Sequence, residues 1–177
     1  MEHAAQSAAA AVMSPDAFRE FYRRVLPDVY GYVLRLCAGD RAQAEDLTQE
    51  VWLALIEELR LGRTERADIR WLITVARSRF LDHARRERLR GSRLGLIRHV
   101  EVADAEPTGS DVLDSLADLA PLHRAVLIWR YVEDLPVADV AALVGRGLTA
   151  TNSLLARARA ELRRCGGRPT AGGNPDA

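Results

Sequence analysis

Hydrophobic residues along this chain recur at helical spacing, and no stretch alternates for the length of a strand. Wound at ~100° per residue, the segment AEDLTQEVWLALIEEL (44–59) sets Leu47, Val51, Leu55 and Leu59 in one stripe, with Ala44, Thr48 and Trp52 beside it. The stripe reads as a core-facing side. The opposite side carries Asp46, Gln49, Glu50 and Glu57, and Leu53 stands in their midst. Single exposed leucines are common on surfaces; one ringed by acids and an amide has the anatomy of a small interface, an apolar anchor with a charged rim.

Punctuation supplies the remaining elements. Ser14-Pro15 predicts an N-cap followed by proline at the first helical position, opening a helix through DAFREFYRRVLPDVYGYVLRLC that Pro27 is expected to kink or divide. Asp40 and Gln43 have capping-box spacing and start the helix just described, which should end near Gly62. A third helix is predicted from Asp68 to Leu89. Residues 92–110 lose all periodicity and read as a linker. Beyond them follow a short helix at 111–119, one from Pro121 to Glu133, one from Pro136 to Val144, then the turn VGRGL and a last helix, TATNSLLARARAELRR. The expected fold class is all-α: two small helical modules, 14–91 and 111–165, joined by a flexible acidic linker, with a disordered lead-in at 1–13 and a disordered Gly/Pro-rich tail at 166–177.

Two helices carry candidate chemistry. On the third, Ile69, Leu72, Ile73, Ala76, Phe80 and Ala84 share one side, while Arg70, Arg77, Arg85 and Arg88 fall near one another on a second, with Thr74 and Leu81 between them. An arginine stripe is an electrostatic footprint for phosphate or a solvated face; Trp71 at its edge could stack on a base or pack on a neighbouring helix. The last two helices form a helix-turn-helix. In its second helix Leu148, Leu155, Ala158 and Leu162 are expected to face inward, leaving Ala150, Asn152, Ser153, Ala156, Arg157 and Ala160 outward. Small residues with a few polar donors and one long arginine suit a helix lying close to base edges in a major groove.

Composition narrows the classes. The chain is 48% apolar and 28% charged, which suits a globular protein, and no apolar run approaches the ~20 residues that span a bilayer. The start, MEHAAQSAAAAVM, lacks the basic residues of a signal peptide, so a cytoplasmic protein without membrane insertion is expected. Cys37 and Cys165 form no metal-binding or disulfide pattern, and Cys37 reads as a buried helical cysteine. No nucleophile–base pairing, metal cluster or phosphate-binding glycine loop is evident, so no catalytic residue, metal or cofactor is expected. A net charge of zero conceals blocks of −5 (1–59), +8 (60–98), −7 (99–139) and +4 (140–177), with every basic residue an arginine. Alternating blocks point to separate surfaces for separate partners.

Three segments together resemble the extracytoplasmic-function sigma factors, the minimal two-domain class of bacterial RNA polymerase sigma subunits. AGDRAQAEDLTQEVWLALIEEL is similar to that family's region 2.2, usually D-A-E-D-L-x-Q-E-x-F. RWLITVARSRFLDHARRERL is similar to regions 2.3–2.4, typically W-L-x-x-I-A-R-N-x-x-x-D. LAPLHRAVLIWRYVEDLPVADVAALVG with NSLLARARAELR is similar to region 4. The order and the intervening linker are as in the family, over about 130–140 of the 177 residues.

The resemblance implies partners. Asp46, Gln49, Glu50 and Leu53, with Glu57 at the rim, would dock on the clamp coiled coil of the polymerase β′ subunit, and the rest of the chain would also meet the β subunit. Arg70, Trp71, Thr74, Arg77, Arg85 and Arg88 would meet minus-ten promoter DNA, with a flipped base captured near the loop LGRTERAD (61–68). The acidic linker would run through the polymerase cleft. Asn152, Ser153 and Arg157 would face the minus-thirty-five groove, with Arg146 and Arg159 near phosphates. An anti-sigma factor is a further implied partner. The chain departs from the pattern where family members commonly carry Lys and Arg: Asn152 and Leu154 stand there. Pro136 replaces a capping serine, and GRGLT is an unusual turn, so minus-thirty-five recognition should be weakened. Two other readings remain: a free-standing helix-turn-helix regulator, and a sigma-like adaptor that binds polymerase without reading promoters.

Overall fold

The computed structural model describes residues 13–94 and 116–166. These form helices α1 (Pro15–Leu36), α2 (Arg41–Arg60), α3 (Ile69–Leu94), α4 (Pro121–Leu127), α5 (Val137–Val144) and α6 (Leu148–Gly166), and no strand occurs among them. A 3-10 turn (Thr64–Arg66) separates α2 from α3, and a π-helical turn (Ile128–Val132) follows α4. The all-α expectation holds. Of the lead-in only Met13 is described and of the tail only Gly166; linker residues 95–110 and most of the short helix expected at 111–119 lie outside the described residues.

Close contacts divide the chain into two compact units. One comprises the residues up to Leu34 with Arg41–His83; the other comprises Arg35–Asp40 with Ala84 onward.

In the first unit α1 starts as its sequence dictates, with the Ala17 amide donating to Ser14 Oγ at 3.2 Å and Pro15 at the first helical position. Of the two outcomes expected at Pro27, division does not occur: the helix continues through it. An interior proline costs about 3 kcal/mol or more, but Pro27 points to solvent. Phe21 and Val25 before it and Val29 and Val33 after it are all buried, which holds both halves to the core. On α2 every residue of the predicted stripe is buried, together with Ala44, Thr48 and Trp52. The Trp52 ring packs within 4.6 Å of Tyr22 and within 6.3 Å of Phe18 and Phe21, centroid to centroid, so four of the chain's few aromatics gather at one α1–α2 seam. Gly62 ends α2 in the left-handed conformation (φ 78°), and the Arg63 amide donates back to Glu58 O, the hydrogen-bond pattern of a Schellman cap. From α3, Leu72, Ala76 and Phe80 complete this core. The helix runs five residues beyond its expected end at Leu89.

In the second unit α4 and α5 both pack on α6. Its centre is the buried Arg124. The guanidinium donates to four carbonyls: Leu116 and Leu36 at 2.9 Å, Leu119 at 3.0 Å and Ala117 at 3.2 Å. Burial holds the Arg124 pKa below its usual value. A second tie joins α6 to the start of α4. Glu161 accepts from the Ala120 amide at 3.2 Å through one oxygen and meets His123 Nδ1 through the other. Because Ala120 precedes the proline that opens α4, Glu161 caps a helix that has no cap of its own.

The helix expected from Pro121 to Glu133 is α-helical only to Leu127 and then widens into the π turn, where the Glu133 amide reaches Ile128 O and the Leu135 amide reaches Trp129 O. The widening keeps Ile128 and Trp129 in the core and leaves Tyr131 and Val132 exposed. Cys37 is buried as expected, but in the turn after α1 rather than within a helix. Burial pushes its thiol up to about 12 against the pull of Arg124, so no reactive thiolate forms near neutral pH.

Replacing Arg124 with methionine leaves several buried carbonyls without donors and should cost about 3 kcal/mol or more, read as a lowered urea midpoint by circular dichroism; an unchanged midpoint would show that those carbonyls do not depend on it. Glu161 supplies a pH prediction. Burial raises its carboxyl, but the His123 and Ala120 hydrogen bonds and the nearby positive charges outweigh this and leave it below its ordinary 4.5. A depressed carboxyl stabilises the folded form above the unfolded pKa and loses that contribution as pH falls through the folded value. Glu161→Gln should therefore be less stable than the parent at pH 6, with the difference shrinking as pH drops below 4.5; a constant offset across that range would refute the assignment.

Candidate partner and nucleic-acid interfaces

The first surface is the outer side of α2. Since the buried stripe fixes the rotation of the helix, Asp46, Gln49, Glu50, Leu53 and Glu57 are carried together on the opposite side. Leu53 is 59% exposed at the centre of this group. Glu50 makes an ionic contact with Arg79 of α3 at 3.8 Å, which helps to fix the rim. Sequence reading missed one member. Leu61, 65% exposed, sits one turn beyond Glu57, and its amide donates to Glu57 O at 3.1 Å, so the helical turn persists past the assigned end of α2. The four-residue spacing of Leu53, Glu57 and Leu61 was the available signal. The following turn is tethered, because Arg63 grips both carboxylate oxygens of Glu58 at 2.9 and 3.0 Å and Arg66 lies 3.8 Å away.

The second surface is α3, and here the structure revises the expected stripe. Arg70, Thr74, Arg85 and Arg88 are exposed and Trp71 is half-buried. Arg77 turns onto α1, donating from Nε to the Tyr32 hydroxyl at 3.0 Å with its guanidinium 6.0 Å from the ring centre. Leu81, placed among the arginines by the helical wheel, is buried. The predicted side of α3 therefore shows exposed arginine at its two ends, with Arg77 and Leu81 engaged between them.

The third surface is the helix-turn-helix. Gly145 adopts the left-handed conformation at the end of α5 (φ 65°), and the Arg146 amide donates to Ala141 O, so the turn is a regular Schellman cap despite its unusual sequence. Asn152, Ser153, Ala156, Arg157 and Arg159 of α6 are exposed, and so is Arg146 in the turn. Leu155 and Ala158 are buried as expected, whereas Leu148 is 56% exposed and does not face the core. Thr151 replaces it in that role. It is fully buried, its hydroxyl donating to Gly147 O at 3.0 Å, so an inward-facing polar group is satisfied within the first turn. Leu154 is buried too. The departure at that position is thus a core residue rather than a phosphate contact removed.

The comparisons bear on all three surfaces. The sigma-70 region 2 family profile matches residues 21–90, and the sigma-70 region 4 profile matches residues 110–162. The RNA polymerase sigma factor CarQ of Myxococcus xanthus is 32% identical over 138 residues, covering 73% of this chain and 78% of that protein. The extracytoplasmic-function sigma factor SigC of Mycobacterium tuberculosis is 31% identical over 149 residues, covering 81% and 80%. BldN of Streptomyces coelicolor, of the same class, is 29% identical over 154 residues; the match takes in 81% of this chain but 58% of BldN. Among solved structures, the sigma factor RpoE of Bartonella quintana, crystallised with the anti-sigma factor NepR, shares the fold with a TM-score of 0.56 and 22% identity, over 84% of this chain and 95% of that one.

The exposure of Leu53 gives a stability prediction. Leu53→Asp should leave the unfolding midpoint within about 0.5 kcal/mol of the parent, whereas Val51→Asp, on the buried side of the same helix, should unfold the first unit. Equal damage from both in circular-dichroism melts would mean that Leu53 is structural.

Proposed function

The chain belongs to the extracytoplasmic-function family of RNA polymerase sigma factors, and from that premise we propose that it binds core RNA polymerase and directs it to a specific set of promoters. The observation that carries the reading is Leu53: a large apolar side chain left in water by a helix whose opposite stripe is wholly buried, ringed by Asp46, Gln49, Glu50 and Glu57. Burying one such anchor inside a charged rim is how small interfaces concentrate their energy. In this reading the anchor meets the clamp coiled coil of the β′ subunit, with Leu61 extending the contact, and the region 4 unit approaches the β subunit.

The promoter contacts follow from the other surfaces. Arg70, Arg85 and Arg88 serve as phosphate contacts on minus-ten DNA, with Thr74 and Trp71 beside them. Arg77 supports that face through Tyr32 rather than reaching out itself. The helix-turn-helix enters the minus-thirty-five groove through Asn152, Ser153 and Arg157, with Arg146 and Arg159 at the backbone. No helix among the described residues is long and apolar enough to cross a membrane, which agrees with a cytoplasmic site of action. The protein contributes positioning and strand opening rather than covalent chemistry. An anti-sigma factor is a further partner in this proposal, supported by the complex in which the similar RpoE fold was crystallised.

Mixing the full chain with core polymerase and separating by size should show co-elution. Leu53→Asp should weaken it about tenfold or more, while Leu53→Met should retain it. Full binding by the aspartate variant would remove this face from the interface, and absence of binding by the parent chain would remove the function.

A further inference from the structure

The exposed side of α6 is divided by charge along its length. From Gly147 to Ala156 no residue is charged, while Arg157, Arg159, Arg163 and Arg164 all fall in the second half. The buried residues Thr151, Leu154, Leu155 and Ala158 fix the rotation of the helix, so Leu148 and Asn152, one turn apart, lie along one flank of the outward side, beside the small Ser153 and Ala156.

The polar groups on this side are committed unequally. The Ser153 hydroxyl donates to Thr149 O at 3.0 Å and so offers only acceptor lone pairs outward. Arg157 spends its Nε on Ser153 O at 3.3 Å, which leaves its terminal nitrogens to meet an anion. Asn152 is exposed, and no hydrogen bond among the described residues engages its amide. It is therefore the one side chain in the uncharged half that presents both a donor and an acceptor in a single plane.

That combination matches one base edge. Adenine shows an acceptor (N7) and a donor (N6) side by side in the major groove, and asparagine pairs with both; guanine shows two acceptors and calls for arginine or lysine, which this half of the helix lacks. Leu148 beside Asn152 offers an apolar surface suited to the C5 methyl of thymine. We propose that Asn152 is the specificity-determining residue of the helix-turn-helix, reading an adenine. Leu148 meets a neighbouring thymine methyl, Arg157 enters the groove beside them, and Arg159, Arg163 and Arg164 set position on the phosphates without choosing sequence. This rests on the promoter-directing function proposed above and names the base class that the upstream element must contain.

The test is selection of duplexes randomised through the upstream promoter element by polymerase reconstituted with the full chain, followed by sequencing. The parent should enrich adenine at one position roughly tenfold or more over guanine. Asn152→Ala should flatten that position and leave the others. Asn152→Asp, which keeps the acceptor and loses the donor, should move the preference there to cytosine, whose exposed edge is a donor; a merely structural asparagine would produce no such switch. Leu148→Ala should weaken a thymine preference next to it. Guanine enriched at that position by the parent, or a base profile unchanged by both Asn152 substitutions, overturns the inference while leaving promoter direction intact. No enrichment of any sequence by the parent overturns both.

Discussion

The second unit depends on a buried cation. Arg124 is buried, and its guanidinium donates to four carbonyl oxygens, supplied by residues 116, 117, 119 and 36. A helix end leaves carbonyls without partners, and a guanidinium, with five donors in a rigid fork, can satisfy several at once. Leu36 is the last residue of α1, so at least one of these carbonyls is a helix terminus. The same burial that makes the charge costly makes its hydrogen bonds strong. The arrangement works because all three of the guanidinium's nitrogens donate, through four hydrogen bonds at 2.9 to 3.2 Å. The neighbouring Cys37 thiol stays protonated in this environment, so no anion competes with the carbonyls for the guanidinium.

Rotation of a helix is the second constraint, and it links packing to recognition. On α2 the buried stripe leaves no freedom in what the other side displays. The exposed group around Leu53 is a by-product of where Leu47, Val51, Leu55 and Leu59 must go. On α6 the same logic runs through Thr151, Leu154, Leu155 and Ala158. A substitution in either core stripe would therefore disturb the exposed side as well, by turning or loosening the helix that carries it.

How much of this was legible in the sequence follows from the range of each interaction. Helical periodicity and caps are local, so the core stripe of α2, the Ser14 cap, the glycine-ended turns and the exposed leucine at 53 could be read directly. Interactions across long sequence separation could not. Nothing near Arg77 in sequence announces Tyr32, 45 residues away, and the helical wheel put Arg77 among the solvent-facing arginines. Leu148 looked like a core residue because it is a leucine at the right spacing, yet buried Thr151 fills the place by satisfying its own hydroxyl one turn back. Pro27 was read by its local cost alone, while the apolar contacts on both sides of it decide the outcome. The π turn is invisible to a 3.6-residue period. The family resemblance singled out three surfaces, and the geometry decides which of their residues face outward.

The rim around Leu53 also bears on the life of the chain before it meets any partner. An exposed leucine with another at position 61 is a sticky spot for any protein with a similar patch, including a second copy of this chain. Two copies meeting through this face would bring Asp46, Glu50 and Glu57 of one against the same acids of the other, and like charges at short range oppose the approach. The acids thus act as a guard against self-association, one that weakens as salt screens them. Solubility of the unbound protein and access of its anchor to a differently charged surface are set by the same three carboxylates.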